Sequence, residues 1–296
     1  MVNRMMPDIS MEFISTHSKT LEIIKKHDFK VKKGYGQNFL VDQHVINKII
    51  SGADVKETDL VIEIGPGIGG LTERLAAQAK HLIAIEIDKT LIPILEESFS
   101  GCTNVEILNQ DILKTDIESI ITAHGAGSAK IVANLPYYIT TPIIMSILES
   151  NAPIESMTIM IQKEVGKRIK ATAGTKDYGA LTLGVAYRAK AELVANVPRN
   201  SFVPRPNVDS AVLRLDRLEH PPIDVECEAL LFRVIRAAFE QRRKTLLNCL
   251  FNLLDLGLSK DELAVILEKC GLDANVRGED LTLESFADVA NAIIKG

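Results

Sequence analysis

From residue 60 onward the chain alternates short apolar runs with longer amphipathic stretches. "LVIEI" (60–64), "HLIAIEI" (81–87), "VEIL" (105–108), "KIVA" (130–133) and "TIMI" (158–161) have the length and β-branched content of buried strands. "GLTERLAAQA" (70–79) and "TLIPILEESF" (90–99), lying between them, read as helices. This alternation predicts βαβ units and a mostly parallel, doubly wound sheet. "LTLGVAYRAKAELVANV" (181–197) and "AVLRL" (211–215) read as later strands that complete it. The proline-marked "EHPPIDVE" (219–226) is a linker, and beyond it the pattern is helical only, over 228–254, 260–271 and 283–294. At the other end, residues 1–15 read as a loose extension, with Met11 as an alternative start, followed by a short helix over 16–29. The chain therefore divides into an extension (1–30), an α/β domain (31–218) and a smaller all-α domain (219–296).

Composition narrows the class. With 46% hydrophobic residues over 296 positions, the chain has ample material for a globular core. No apolar run approaches the roughly 18 residues of a membrane span. Asp8 and Glu12 interrupt the N-terminal region, which argues against a signal peptide. Cys102, Cys227, Cys249 and Cys270 are scattered with no C-x-x-C pair, so reduced cysteines in a cytoplasmic protein are expected and no metal site is supported. The net charge of −5 means that a nucleic-acid partner would have to be held by local basic patches.

"VIEIGPGIGGLTERL" places Gly65, Gly67, Gly69 and Gly70 between a strand and a helix. Gly65, Gly67 and Gly70 satisfy G-x-G-x-x-G, so the loop alone does not separate a nicotinamide or flavin enzyme from other nucleoside binders. Its company does. Glu86 ends the second strand, Asp111 follows the third and Asn134 the fourth, each about one βα unit after the last, so all fall on the carboxyl rim of one sheet. Carboxylates suit a nucleoside cofactor without phosphates. S-adenosyl-L-methionine fits, with Glu86 on the ribose hydroxyls, Asp111 on the adenine amino group and the glycine loop around the amino-acid portion.

"NLPYY" (134–138) then has a purpose. Pro136 ends the strand and drives Leu135 to extended geometry. The amide oxygen of Asn134 and the carbonyl of Leu135 or Pro136 can accept hydrogen bonds from an exocyclic amine, aiming its lone pair at the donor methyl group. Tyr137 can stack on a base that has left its own stack.

"GQNFL" (36–40), "EIGPGIGGLT" (63–72), "EID" (86–88), "NQD" (109–111), "NLPYYITTPI" (134–143), "QKEV" (162–165), "YGAL" (178–181), "FVPRPNVDSAV" (202–212) and "QRRKTL" (241–246) together resemble the ribosomal RNA adenine dimethyltransferases, in their small-subunit branch. The resemblance covers about residues 30–285, with no departure at these motifs. It implies a Rossmann-like class I methyltransferase sheet with a helical RNA-binding domain. It also implies that Asn38 and Leu40 close over the cofactor and that Phe202 faces Tyr137 across a flipped adenine. The implied reaction places two methyl groups on N6 of each of two neighbouring adenosines in the 3′-terminal hairpin loop of 16S rRNA, with the small ribosomal subunit as partner and the enzyme as a cytoplasmic monomer.

"RVIRAAFEQRRKTLLNCL" (233–250), taken as one helix, places Ile235, Phe239, Leu246 and Leu250 on a core face. Arg236 and Arg243 border it, with Arg233 and Lys244 further round, a basic band suited to phosphates. Arg242 falls inside the apolar face, where a buried pairing with an acid or a carbonyl is expected, across a domain boundary. Lys30, Lys32 and Lys33 are either a further part of the RNA footprint or a solubilising run. Competing functions are a large-subunit rRNA dimethyltransferase, a non-catalytic assembly factor and a nicotinamide oxidoreductase. The QRRKTL helical region argues against the first, and the intact NLPY corner and glycine loop against the second.

Overall fold

A computed structural model describes residues 13–32 and 36–295, so expectations for residues 1–12 and for Lys33 lie outside the described residues. The strands are Phe39–Leu40 (β1), Leu60–Ile64 (β2), His81–Glu86 (β3), Val105–Asn109 (β4), Ala129–Asn134 (β5), Ile154–Gln162 (β6), Ala189–Val197 (β7), Phe202–Val203 (β8) and Ser210–Arg217 (β9). The helices are His17–Lys26 (α1), Gln43–Ala53 (α2), Thr72–Ala76 (α3), Ile92–Phe99 (α4), Ile117–Ala123 (α5), Thr140–Glu149 (α6), Lys163–Ile169 (α7), Ala180–Ala186 (α8), Glu228–Glu240 (α9), Leu246–Leu253 (α10), Lys260–Lys269 (α11) and Leu283–Lys295 (α12).

The main sheet has the order β4-β3-β2-β5-β6-β9-β7, and β1 pairs with β8 in a small separate ribbon. Strands β2 to β6 run parallel, and β9 is antiparallel to β6. β2 is buried at all five positions, as a central parallel strand covered on both faces must be. The chain runs outward from β2 through β3 to β4, then returns to the other side of β2 as β5. That reversal is a topological switch point, where the loops after neighbouring strands diverge and leave a crevice. The register brings the carboxyl ends level, with Ile64 opposite both Ile85 and Ala133, and Glu86 opposite Asn109.

Two compact units emerge: residues 1–166 with 191–217, and residues 167–190 with 218–296. The first contains the sheet. Its N-terminal part is packed rather than loose from residue 13 on: Ser15 and Thr20 are fully buried, and Ile14 N–H donates to Glu73 at 3.0 Å. The second is built on α8 to α12, with Leu231, Val234, Ile235, Leu246, Leu250 and Phe286 in its core. Residues 167–190 thus pack with the helices, whereas a boundary drawn at the 219–226 linker assigns them to the α/β domain.

Two element assignments are corrected. Residues 181–197 are not one strand: the first part is α8, and only 189–197 is β7. At its start the Thr182 hydroxyl accepts from Gly179 N–H at 3.2 Å and donates to the Arg168 carbonyl at 2.6 Å, a local capping arrangement that outweighs the β-branched signal. Nor does one helix span 228–254. α9 stops at Glu240, residues 241–245 turn, and Thr245 caps α10 by accepting from Asn248 N–H. Arg242 therefore lies on no helix face. It is exposed rather than buried, and its guanidinium donates to the Lys176 carbonyl at 2.9 Å and to the Tyr178 carbonyl, both within the same unit. Arg242→Ala strands these two carbonyls and is expected to destabilise by about 1–2 kcal/mol, a drop of a few degrees in calorimetric melting temperature. An unchanged melting temperature would show that the pairing is idle.

Candidate active site

The strand ends around the switch point form a cleft with about 1080 Å³ of space, its mouth included. Gly65, Gly67, Glu86, Asp111, Asn134, Leu135, Pro136 and Tyr137 all border it, as do Asn38 and Leu40. The glycine loop lies against strand β3 because Gly65 N–H donates to the Ile85 carbonyl at 2.9 Å. Gly67 has φ +61°, and a Cβ there would meet the Phe39 ring at 3.1 Å. Only glycine gives this bare backbone wall.

Glu86 is 5% exposed and held at both oxygens, Oε1 accepting from Asp88 N–H at 2.8 Å and Oε2 from Gly67 N–H at 3.3 Å. Burial raises its carboxyl to about 7, although those two N–H groups oppose the shift. A second acid, Glu63 of β2, also lines the cleft; burial raises it to about 8, and the Glu86 charge adds to the effect. The Thr72 hydroxyl beside it partly opposes the rise. Two buried carboxyls beside a glycine wall suit a ligand that brings donors and positive charge but no phosphate. Adenosylmethionine meets that description, and a dinucleotide pyrophosphate does not.

Asp111 is partly exposed and caps the turn after β4, with Oδ1 accepting from Leu113 N–H at 3.0 Å; it is thus both a cap and a wall of the cleft. Asn134 ends β5, and its Nδ2 donates to the Asn38 carbonyl at 3.1 Å. No hydrogen bond to the amide oxygen is found among the described residues, and Asn134 borders the cleft. The next backbone N–H, of Leu135, still bonds to the Met160 carbonyl of β6 at 3.0 Å, so the corner is fixed to the sheet. Of the two carbonyls expected there, that of Pro136 is already taken by Ile139 N–H at 3.3 Å and the Thr140 hydroxyl at 2.9 Å. The Leu135 carbonyl remains. Tyr137 is half-buried, with its hydroxyl hydrogen-bonded to Ser210 Oγ at 2.6 Å.

Phe202 is 3% exposed, pairs with Leu40 between β8 and β1, and packs with Val45, Val197 and Val212. The basic residues are redistributed. Arg233 and Arg236 are exposed on α9, while Arg243 and Lys244 are exposed in the following turn rather than on the same helix. Lys32 is engaged with Asp88 at 2.7 Å, so it is a structural cation rather than part of a free basic run. Among the described residues no group of three or more His, Cys, Asp or Glu side chains could hold a metal, and no helix is long and apolar enough to cross a membrane.

Sequence reasoning missed Glu63, Gln37 and Asp88. For Glu63 the signal was present, a lone acid inside a strand that is otherwise apolar. Asp88 is 1% exposed; burial pushes its carboxyl up, but bonds from Lys32, Thr90 and Gln37 outweigh this and hold it at about 2.

The family model for ribosomal RNA adenine dimethylase matches residues 28–295. A ribosomal RNA small subunit methyltransferase A of Lachnoclostridium phytofermentans is 50% identical over 285 residues, covering 96% of this chain and 98% of the relative. The protein of that name from Clostridioides difficile is 47% identical, covering 96% and 98%. Among solved structures, a dimethyladenosine transferase from Plasmodium falciparum matches with a TM-score of 0.72 and 27% identity, covering 84% of this chain and 95% of that one. The 23S rRNA methyltransferase ErmE matches with a TM-score of 0.65 and 27% identity, covering 87% and 100%. With the glycine wall, the two buried acids and the Asn-Leu-Pro-Tyr corner all on one sheet rim, the chain belongs to the ribosomal RNA adenine dimethylase family, whose members are adenosylmethionine-dependent methyltransferases.

Proposed function

We infer that this enzyme dimethylates N6 of two adjacent adenosines in the 3′-terminal hairpin loop of 16S rRNA, during small-subunit biogenesis. The observation that carries the reading is the Asn134 amide, tied by its nitrogen to the Asn38 carbonyl so that its oxygen is left as an acceptor in the cleft. The names of the relatives at about 50% identity support the small subunit as the partner. Bound adenosylmethionine supplies an electrophilic methyl group. Glu86 would hold the ribose hydroxyls and Asp111 the adenine amino group, while Asn38, Leu40, Gly65 and Gly67 shape the walls. Asn134 Oδ1 and the Leu135 carbonyl would accept from the substrate amine, orienting its lone pair for attack without prior deprotonation, the N–H proton being lost after the new bond forms. Pro136 sets the corner, and Tyr137 presents a ring to the flipped base. Phe202, paired with Leu40, is assigned to face Tyr137 across the flipped base, as the family resemblance implies. The reading has the protein acting as a monomer in the cytoplasm, with no metal.

The test is incubation with labelled adenosylmethionine and unmethylated small subunits, large subunits or DNA, with the product mapped by mass spectrometry. Dimethyladenosine at two neighbouring positions of the small subunit is expected. Label confined to large subunits or DNA would overturn the assignment.

RNA binding is assigned to Arg233, Arg236, Arg243 and Lys244, four exposed cations of the helical unit. Arg236→Ala and Arg243→Ala are each expected to lower the salt slope of subunit binding by up to about one unit, leaving cofactor affinity alone. A double variant with the parental salt dependence would make these cations ordinary solvated surface.

A further inference from the structure

The stretch that carries Asn38 is held on one side by the pairing of Phe39 and Leu40 with β8, and on the other by a single carboxylate. Asp88 Oδ1 accepts from Lys32 Nζ at 2.7 Å, from the Thr90 hydroxyl at 2.7 Å and from Thr90 N–H at 3.0 Å. Its Oδ2 accepts from Gln37 Nε2 at 2.9 Å. Gln37 is fixed at its other end too, since Oε1 accepts from Lys32 N–H at 2.8 Å. Asn38, the next residue, presents the carbonyl that takes Asn134 Nδ2 at 3.1 Å. An unbroken path of hydrogen bonds and main chain thus runs from Asp88 through Gln37 and Asn38 to Asn134.

The path matters because a carboxamide has two ends of nearly equal size and opposite hydrogen-bonding character. A carbonyl accepts only from the NH₂ end. While the Asn38 carbonyl stays in place, the Asn134 oxygen faces the cleft; if it drifts away, the amide is free to turn and offer a donor to an amine that needs an acceptor. We propose that Asp88 is a positioning residue for methyl transfer, which holds the Asn134 amide oxygen-inward through Gln37 and Asn38. This rests on the reading of Asn134 as the acceptor.

Because Asn38 and Leu40 also border the cofactor, loosening this stretch affects cofactor binding as well. The two effects separate kinetically, since weaker cofactor binding is overcome by concentration and a misoriented amide is not. Asp88→Asn keeps the volume but sets an NH₂ group against Gln37 Nε2, which cannot turn without giving up the Lys32 N–H. Gln37→Ala leaves the Asp88–Lys32 side-chain pair intact and removes the link together with the Lys32 N–H bond, so it tests the proposal even if Asp88→Asn folds poorly.

In single-turnover assays at saturating adenosylmethionine, each variant is expected to lose roughly tenfold in rate, the lower end of what outer-shell partners contribute elsewhere. Small-subunit binding is expected to be unchanged. In an Asn134→Ala background, Asp88→Asn is expected to have no further effect on rate, because the group it positions is gone. Variants slower only at low cofactor concentration, or additive with Asn134→Ala, would overturn the proposal and leave Asp88 as a fastening of the cofactor wall. If Asn134→Ala itself keeps the parental rate, the acceptor reading fails. If Asn134→Ala is slow while Asp88→Asn and Gln37→Ala match the parent, only the positioning role fails.

Discussion

Asn134→Ala is expected to abolish most methyl transfer within a single turnover while small-subunit binding stays near normal. In the proposed mechanism the amide oxygen acts on the attacking nitrogen, so its loss would fall on the chemical step. Removing one preorganised hydrogen-bonding group of this kind costs on the order of 3–4 kcal/mol, by analogy with oxyanion-hole deletions, or about 10²–10³ in rate. Cofactor affinity is expected to fall less. Tyr137→Ala should cost about 1–3 kcal/mol, through poorer capture of the flipped base. Tyr137→Phe keeps the ring but drops the bond to Ser210, so a smaller loss is expected. Single-turnover rates near the parental value in Asn134→Ala would reduce the corner to a strand terminator.

Glu86→Ala is expected to weaken adenosylmethionine more than any other single change in the cleft, by about 1.5–3 kcal/mol, since it would remove the charge-assisted bonds proposed to the ribose. NAD is expected not to bind. Because the carboxyl is raised to about 7 in the protein alone and the ligand favours its ionised form, affinity should rise with pH up to about 7 and then level off. Glu86→Gln should flatten that profile, and calorimetric titration at several pH values measures both. Stability runs the other way. Glu63 and Glu86 hold their protons more tightly when folded than at their ordinary 4.5, so the stability they confer is fully present below that value. It is lost as pH rises towards about 7 for Glu86 and about 8 for Glu63. The melting temperature of protein stripped of cofactor should therefore fall over this window while cofactor affinity climbs.

The parallel sheet was legible because its central strands are buried on both faces and so appear as unbroken apolar runs. Gly65, Glu86, Asp111 and Asn134 were legible because each sits where such a run stops. Asp88 and Gln37 stood inside quoted motifs, yet their bond joins positions 51 apart, a separation that no local pattern encodes. The break at 241–245 was hidden for a different reason. Gln, Arg and Lys are good helix formers, so propensity continues through a turn that tertiary hydrogen bonds impose. The same helical projection put Arg242 on an apolar face where the chain has no helix. Phe202 was given a stacking role by resemblance alone, since its pairing with Leu40 joins distant positions that no local pattern links.

Arg242 has one more implication. Both of its acceptors are main-chain carbonyls, at Lys176 and Tyr178, rather than side chains. Every amino acid carries the same carbonyl, so replacing Lys176 with another residue leaves the acceptor standing. The constraint falls entirely on one partner. Arginine at 242 would be retained while its counterpart drifts freely, and the link between them would leave no trace of paired change for any comparison of residue identities to detect.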